Sequence, residues 1–149
     1  MIRKGGNVMN REILFKAKRI DNGEWVEGYI FKLKGKERYF IFTGEFDITG
    51  LFPNFIRHEI IPETICQYTK LTDRNGKKIF EHDIIKFDVY DYEKLNSSIV
   101  SDIKWCEDLC SLSVVVNKQG VRGTLGHFID DNKEVEVIGN IFDNPELLH

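Results

Sequence analysis

Glu81-His82-Asp83 sets a carboxylate, an imidazole and a second carboxylate in succession, the residue types of general acid–base catalysis. In an extended segment Glu81 and Asp83 share one face and His82 points to the other, so the three do not form a local triad. A paired-carboxylate site would need the two acids to flank a cleft with separated pKa values. Asp83 is better suited to accepting backbone N–H groups at the turn into the next strand. His127 with Asp130 and Asp131 offers a second set, for a metal ion or a proton relay. No HExxH, GxSxG or glycine-rich phosphate loop accompanies either set, and His127 is read as a loop or subunit-contact residue. A hydrolase using His82 or His127 with these carboxylates stands as an alternative, and no catalytic residue is assigned.

Three further groups carry potential chemistry. Cys66, Cys106 and Cys110 are an odd number of cysteines with no secretory leader, which argues against a disulfide framework. Cys106 and Cys110 flank Glu107-Asp108-Leu109, a loose spacing for a metal knuckle that no second pair completes. Reduced, core-type thiols are expected. Asp73-Arg74-Asn75-Gly76 is similar to part of a calcium loop. With Gly76 set on the turn glycine of an EF-hand, however, Leu71 falls at the first ligand position and His82 at the twelfth, and strands replace the flanking helices. Calcium is rejected there: Asp73, Asn75 and Gly76 are turn residues, with no metal or cofactor expected. Lys32, Lys34, Lys36 and Arg38 crowd a hairpin tip beside Tyr29, Phe31, Tyr39 and Phe40. Cations interleaved with rings are what single-stranded nucleic-acid binders use. Buried rings under a solvated tip give the same pattern, and the net acidic chain favours that reading over nucleic-acid contact.

The elements that must position these residues are strands. Ile13, Phe15 and Ala17 alternate with Leu14, Lys16 and Lys18, a period near two. Asp21-Asn22-Gly23 turns the chain into residues 24–33, and Lys34-Gly35-Lys36-Glu37 turns it again into residues 38–43, giving a three-strand meander. Residues 44–54, punctuated by Gly44, Gly50 and Pro53, are expected to form an ordered loop that packs its apolar residues on the core. A short strand at Glu59-Ile60-Ile61 and a helical turn or bend at Pro62-Glu63-Thr64 follow. Residues 65–71 and a second run over 78–87 surround the Asn75-Gly76 reversal, the strongest hairpin signal in the chain. Residues 84–89, 99–105, 112–116 and 134–142 read as strands, the last bent near Gly139. Residues 91–98 read as a polar mobile loop, and Gly120, Gly123 and Gly126 as a flexible stretch. Asn144-Pro145 opens a closing helical turn with Asn144 as cap. The fold class is mainly β, an antiparallel meander leading into a small barrel with short helical turns.

With 149 residues, 42% of them hydrophobic and 30% charged, the chain fits one soluble globular domain that buries roughly two thirds of its unfolded surface. No apolar run reaches the ~20 residues of a membrane span, so no membrane partner is expected and a cytoplasmic location is the default. Residues 1–8 are read as an extension outside the fold, leaving a single domain over 9–149 with lobes at 9–65 and 66–149. The net charge of −3 hides an asymmetry: residues 1–86 carry 16 Lys/Arg against 12 Asp/Glu, residues 87–149 carry 5 against 12. Halves of opposite sign attract within one chain or between copies, although screening limits their reach to about 8 Å.

The block QYTKLTDRNGKKIFEHDIIKF at residues 67–87, preceded by IIPETI at 60–65, resembles the YopX family, small proteins encoded mainly by bacteriophages and prophages. REILFKAKRIDNGEWVEGYIF at 11–31 and EVEVIGNIFDNPELL at 134–148 resemble it as well. Lys70 and His82 depart from the family pattern, standing where glycine is common; if that glycine serves φ > 0, the backbone here shifts or bears strain. The resemblance implies an SH3-like barrel in the second half and a bacterial host cytoplasm, and it carries no catalytic residue. The expected function is that of a phage or prophage accessory protein, a non-enzymatic interaction module working as a homo-oligomer or on a phage or host protein.

Overall fold

The computed structural model describes residues 12–91, 94–117, 119–129 and 134–149. The expectations for residues 1–8 and for Asp130 and Asp131 lie outside the described residues. Strands β1 (Phe15–Lys18), β2 (Trp25–Lys32) and β3 (Tyr39–Asp47) form the expected three-strand antiparallel meander, and β4 (Asn54–Ile60), longer than the short strand expected at 59–61, extends it by pairing with β3. Gly23 (φ 71°) and Gly35 (φ 76°) take the left-handed conformation that the two tight reversals demand. A 3₁₀ turn at Pro62–Thr64 then leads into β5 (Cys66–Thr72), which runs back beside β1, and β6 (Lys78–Phe80) pairs with β5. The result is one six-stranded sheet in the order β4-β3-β2-β1-β5-β6.

The second half begins with β7 (Asp83–Asp91), followed by β8 (Lys94–Asp102), β9 (Lys104–Cys106), β10 (Ser111–Val115), β11 (Arg122–Thr124), a helical turn α1 (Leu125–Ile129), β12 (Glu136–Asn140) and a 3₁₀ turn at Pro145–Leu148. These strands make two three-stranded sheets, β12-β7-β8 and β11-β10-β9. Ile103, fully buried, is the single residue between β8 and β9, so one nearly continuous run of chain turns a corner from one sheet into the other. At that corner the Val115 amide donates to Ser101 Oγ at 2.8 Å, and the Arg122 guanidinium donates to Asp102 Oδ1 at 2.9 Å and to the Ser113 carbonyl at 3.0 Å. The strand pairings among the described residues do not close into a barrel. Among the same residues no helix is long and apolar enough to cross a membrane.

Three apolar clusters hold the molecule together. The largest fills the second half around Ile79, Ile85, Phe87, Ile103, Val114 and Val135; Leu14, Cys66, Tyr68 and Phe80 form a second under β5; Ala17, Ile41 and Ile60 form a third inside the meander. Each buried Ile or Phe contributes roughly 1.5–3 kcal/mol relative to exposure.

Among the described residues the small barrel expected in the second half is not closed, because its strands pair as two separate three-stranded sheets, and the fold departs from the sequence reading in five further places. Residues 44–54 are not a loop laid on the core: β3 and β4 continue through Phe46↔Phe55 and Asp47↔Asn54 as a projecting hairpin arm. Its tip stays in water, with Ile48 77%, Leu51 96% and Phe52 80% exposed. Pairing along the neighbouring strand satisfied the backbone of this segment, so its apolar side chains did not have to fold back. Within 91–98, Asp91 and residues 94–98 belong to the β7–β8 ladder rather than to a mobile loop, for the same reason. The run over 78–87 is broken at Glu81-His82, where the chain leaves one sheet for another. The glycine-spaced stretch contains β11 and α1, with Leu125 buried against the large cluster. Asn144 stands at the expected N-cap position, but its side chain makes no cap bond; its Oδ1 instead accepts the Asn140 amide at 3.3 Å, where it fills the space beside Gly139.

Candidate functional site

The turn residues singled out from the sequence lie at two buried carboxylates. Asp73 is 7% exposed, and its Oδ1 accepts the amides of Asn75 (2.8 Å) and Lys77 (2.9 Å) while Oδ2 accepts the amide of Val137 in β12 (3.1 Å). Burial alone pushes the Asp73 carboxyl up; the Val137, Lys77 and Asn75 N–H groups more than offset that, so the group sits below the ordinary aspartate range. Gly76 (φ 78°) closes the turn by donating to the Asp73 carbonyl at 3.0 Å. Asp83 is 2% exposed; Oδ1 accepts Lys16 Nζ from β1 at 2.5 Å and Oδ2 accepts the Phe80 amide at 2.8 Å. Lys16 also lies over the Phe80 ring at 4.7 Å and the Trp25 ring at 5.1 Å.

Lys70 (φ 71°) and His82 (φ 66°) both adopt the conformation that glycine would take without strain. At Lys70 the register of β5 against β6 shifts between Tyr68 and Thr72, a bulge that needs a left-handed residue. At His82 the positive φ lets the amide donate to Ile103 (2.7 Å) while the carbonyl accepts Ile141 (3.0 Å), joining the corner of the second half to the C-terminal segment. The imidazole meets the Phe142 ring edge-on at 5.7 Å. The Asp83 carboxylate is committed to Lys16 and Phe80, so adjacency in sequence does not bring His82 and Asp83 into one acid–base pair. His127 lies in α1. Next to Phe142, Asp143 accepts Lys18 Nζ, Asn140 Nδ2 at 3.0 Å and Trp25 Nε1 at 2.7 Å, which in that order hold its carboxyl down to about 2.

The cysteines do not converge. Cys66 is buried, and burial pushes its thiol up to about 12; Cys106 lies in β9, and Cys110, exposed in the following turn, donates Sγ to the Glu107 carbonyl. Among the described residues no three His, Cys, Asp or Glu side chains gather as a metal set.

The basic hairpin is largely self-neutralised. Lys32 Nζ donates to both Glu37 carboxylate oxygens at 2.7 and 2.9 Å, and Arg38 makes a two-pronged pair with Glu59 at 2.8 and 2.7 Å, which lowers the Glu59 pKa. Lys34 and Lys36 stand exposed at the turn. What the meander displays instead is an aromatic outer face. The registers Tyr29↔Phe42, Phe31↔Phe40 and Phe42↔Arg57 place these side chains on the side of the sheet opposite Ile41, which is fully buried. Phe31 and Phe40 stack at 5.4 Å; Phe42, Phe46 and Phe55 pack edge-on or tilted at 5.0–5.7 Å. A groove of about 590 Å³ runs across this face, lined by Phe31, Leu33, Phe40, Phe42 and Phe55 with Arg38 and Arg57 beside them. Arg57 is exposed and enters none of the ion pairs found among the described residues.

This face was missed in the sequence because its rings were taken as core. The signal was present: YFIF at 39–42 is apolar on both sides of a strand, and a small meander has one interior to offer. Lys16 and Asp143, which tie β1 and β2 to the second half, were also missed, since ion pairs 67 and 125 positions apart leave no local pattern.

No curated protein matches this chain. A crystal structure of protein EF1440 from Enterococcus faecalis is similar to it at 24% identity and a TM-score of 0.58, over 93% of this chain and 99% of that one, a likeness of fold. The model of the YopX protein family matches residues 14–149, and the chain belongs to that family.

Proposed function

We propose that this protein is a phage or prophage accessory protein of the host cytoplasm that acts without catalysis, as an interaction module working in homo-oligomeric form. The observation that supports it is the aromatic outer face of β2, β3 and β4 with its exposed apolar arm. Contiguous apolar surface of this kind marks a site covered by another macromolecule. In this reading the second half is an SH3-type arrangement, left open, whose strand order follows the chain through the Ile103 corner, and it serves as the scaffold that carries the meander. Sedimentation at two salt concentrations tests the proposal: a concentration-dependent oligomer is expected, and a strict monomer at high protein concentration overturns the homo-oligomer.

The stacked Phe31–Phe40 pair beside Arg38, Arg57 and the exposed Lys34 and Lys36 supports a second reading, a platform for single-stranded nucleic acid. The carboxylates already bound to Lys32 and Arg38 count against it. Fluorescence anisotropy with short single and double strands decides; binding that ignores salt excludes a phosphate-led mechanism. The hydrolase alternative would need His82 or His127 to share a pocket with a carboxylate, and the commitment of Asp83 to Lys16 and the Phe80 amide weighs against the His82 version.

A further inference from the structure

We infer that the β3–β4 arm of one copy lies along the aromatic groove of a second copy of this chain, reciprocally, in a two-fold symmetric dimer. The inference rests on the interaction-module reading above and names its surface and its occupant.

The apolar area fits a dimer. Phe31, Phe46, Ile48, Leu51, Phe52 and Phe55 together leave on the order of 800 Å² in water, at ~200 Å² for each fully exposed side chain of this size. That exceeds the ~300–600 Å² patch of a typical monomer and is comparable to the ~800 Å² per partner of a stable interface.

The ring face also runs on without a break into the arm. Phe46 and Phe55 pack against Phe42 and carry it outward along β3 and β4, while alternation turns Glu45 and Asp47 to the opposite face. From Phe40 to Asp47 the strand spans roughly 20 Å at ~3.3 Å per residue. Two copies packed face to face and antiparallel, with the axis at the Phe42–Phe46–Phe55 ring cluster, set the tip of each arm over the Phe31–Phe40 end of the other groove. Both contacts form at once, so the assembly closes instead of growing. The aliphatic tip residues Ile48 and Leu51 have no rings to stack on bases, which favours a protein occupant over nucleic acid.

The test uses the full chain and two substitutions at exposed positions, Leu51→Asp in the arm and Phe31→Asp in the groove, with circular dichroism to check folding. Arg57→Glu replaces the groove variant if Phe31→Asp does not fold. The wild type is expected to dimerise, each variant alone to dissociate with Kd raised roughly 100-fold, and a one-to-one mixture of the two to regain association, because one intact arm then meets one intact groove. Variants that dimerise like the wild type overturn the arm–groove assignment and leave the homo-oligomer standing. A mixture that stays monomeric also overturns it, pointing to tip-to-tip contact. A wild type that is monomeric throughout removes the homo-oligomer itself.

Discussion

Asp73→Asn is the substitution that probes most directly how the central turn is held. The change keeps shape and volume but removes the charge and replaces one acceptor oxygen with an NH₂ group. Asn can still present its oxygen to the Asn75 and Lys77 amides, which leaves the NH₂ facing the buried amide of Val137. A hydrogen bond to an ionised group contributes ~1.5–3 kcal/mol, and a buried donor left unsatisfied costs ~1–3 kcal/mol. Loss of the Val137 bond together with weakening of the other two amounts to about 3 kcal/mol, a large part of the ~5–15 kcal/mol that stabilises a domain. At ~2–4 °C per kcal/mol for a chain of this size, the midpoint of thermal unfolding falls by about 10 °C. The sign of the pH dependence follows from the lowered native pKa. The contribution is fully present above the unfolded value of ~3.9 and is lost as pH falls through the native value. Urea unfolding followed by circular dichroism at pH 7, and again at steps below pH 4, measures both quantities. The wild-type and variant stabilities should converge as the pH falls. A difference under ~0.5 kcal/mol at pH 7, or a gap that does not narrow in acid, would refute the assignment of Asp73 as the ionised acceptor that ties the turn to β12.

Three further outcomes are expected. Lys70→Gly should stabilise the fold by ~1 kcal/mol in chemical denaturation, because the left-handed backbone penalty exceeds the extra chain entropy of glycine; an unchanged or lower midpoint counts against strain at the bulge. Gly28→Ala should destabilise by ~3 kcal/mol or more, since the added Cβ would stand 2.0 Å from the Phe42 carbonyl oxygen, and a variant with wild-type melting behaviour rules out that close strand approach. Asp143→Asn should lower stability by at most ~1 kcal/mol at pH 7, its carboxylate being about a third exposed, with the gap closing as pH falls from about 4 towards its native value of about 2; a gap independent of pH shows that the Lys18–Trp25 contacts do not depend on its charge.

Much of the strand framework was legible because its causes are local. Asn22-Gly23, Gly35 and Asn75-Gly76 mark reversals by backbone geometry alone, and alternation in residues 13–18 and 24–33 marks the ladders they connect. The family pattern went further: glycine expected at Lys70 and His82 pointed to the positive φ both residues adopt. The arm was not legible. Ile48, Leu51 and Phe52 look like core in any local window, and only the sheet shows that none of the described residues covers them.

The sequence by itself determined that the chain is mainly β, where it turns, and which family it belongs to, since these follow from neighbouring residues and from a motif read in order. The tertiary structure alone decided which apolar face is interior, that Lys32 and Arg38 are already bound to Glu37 and Glu59, and that Lys16 and Asp83 meet from opposite halves. Burial and ion pairing depend on what arrives from far along the chain, and a one-dimensional pattern of hydrophobicity and charge does not contain that information.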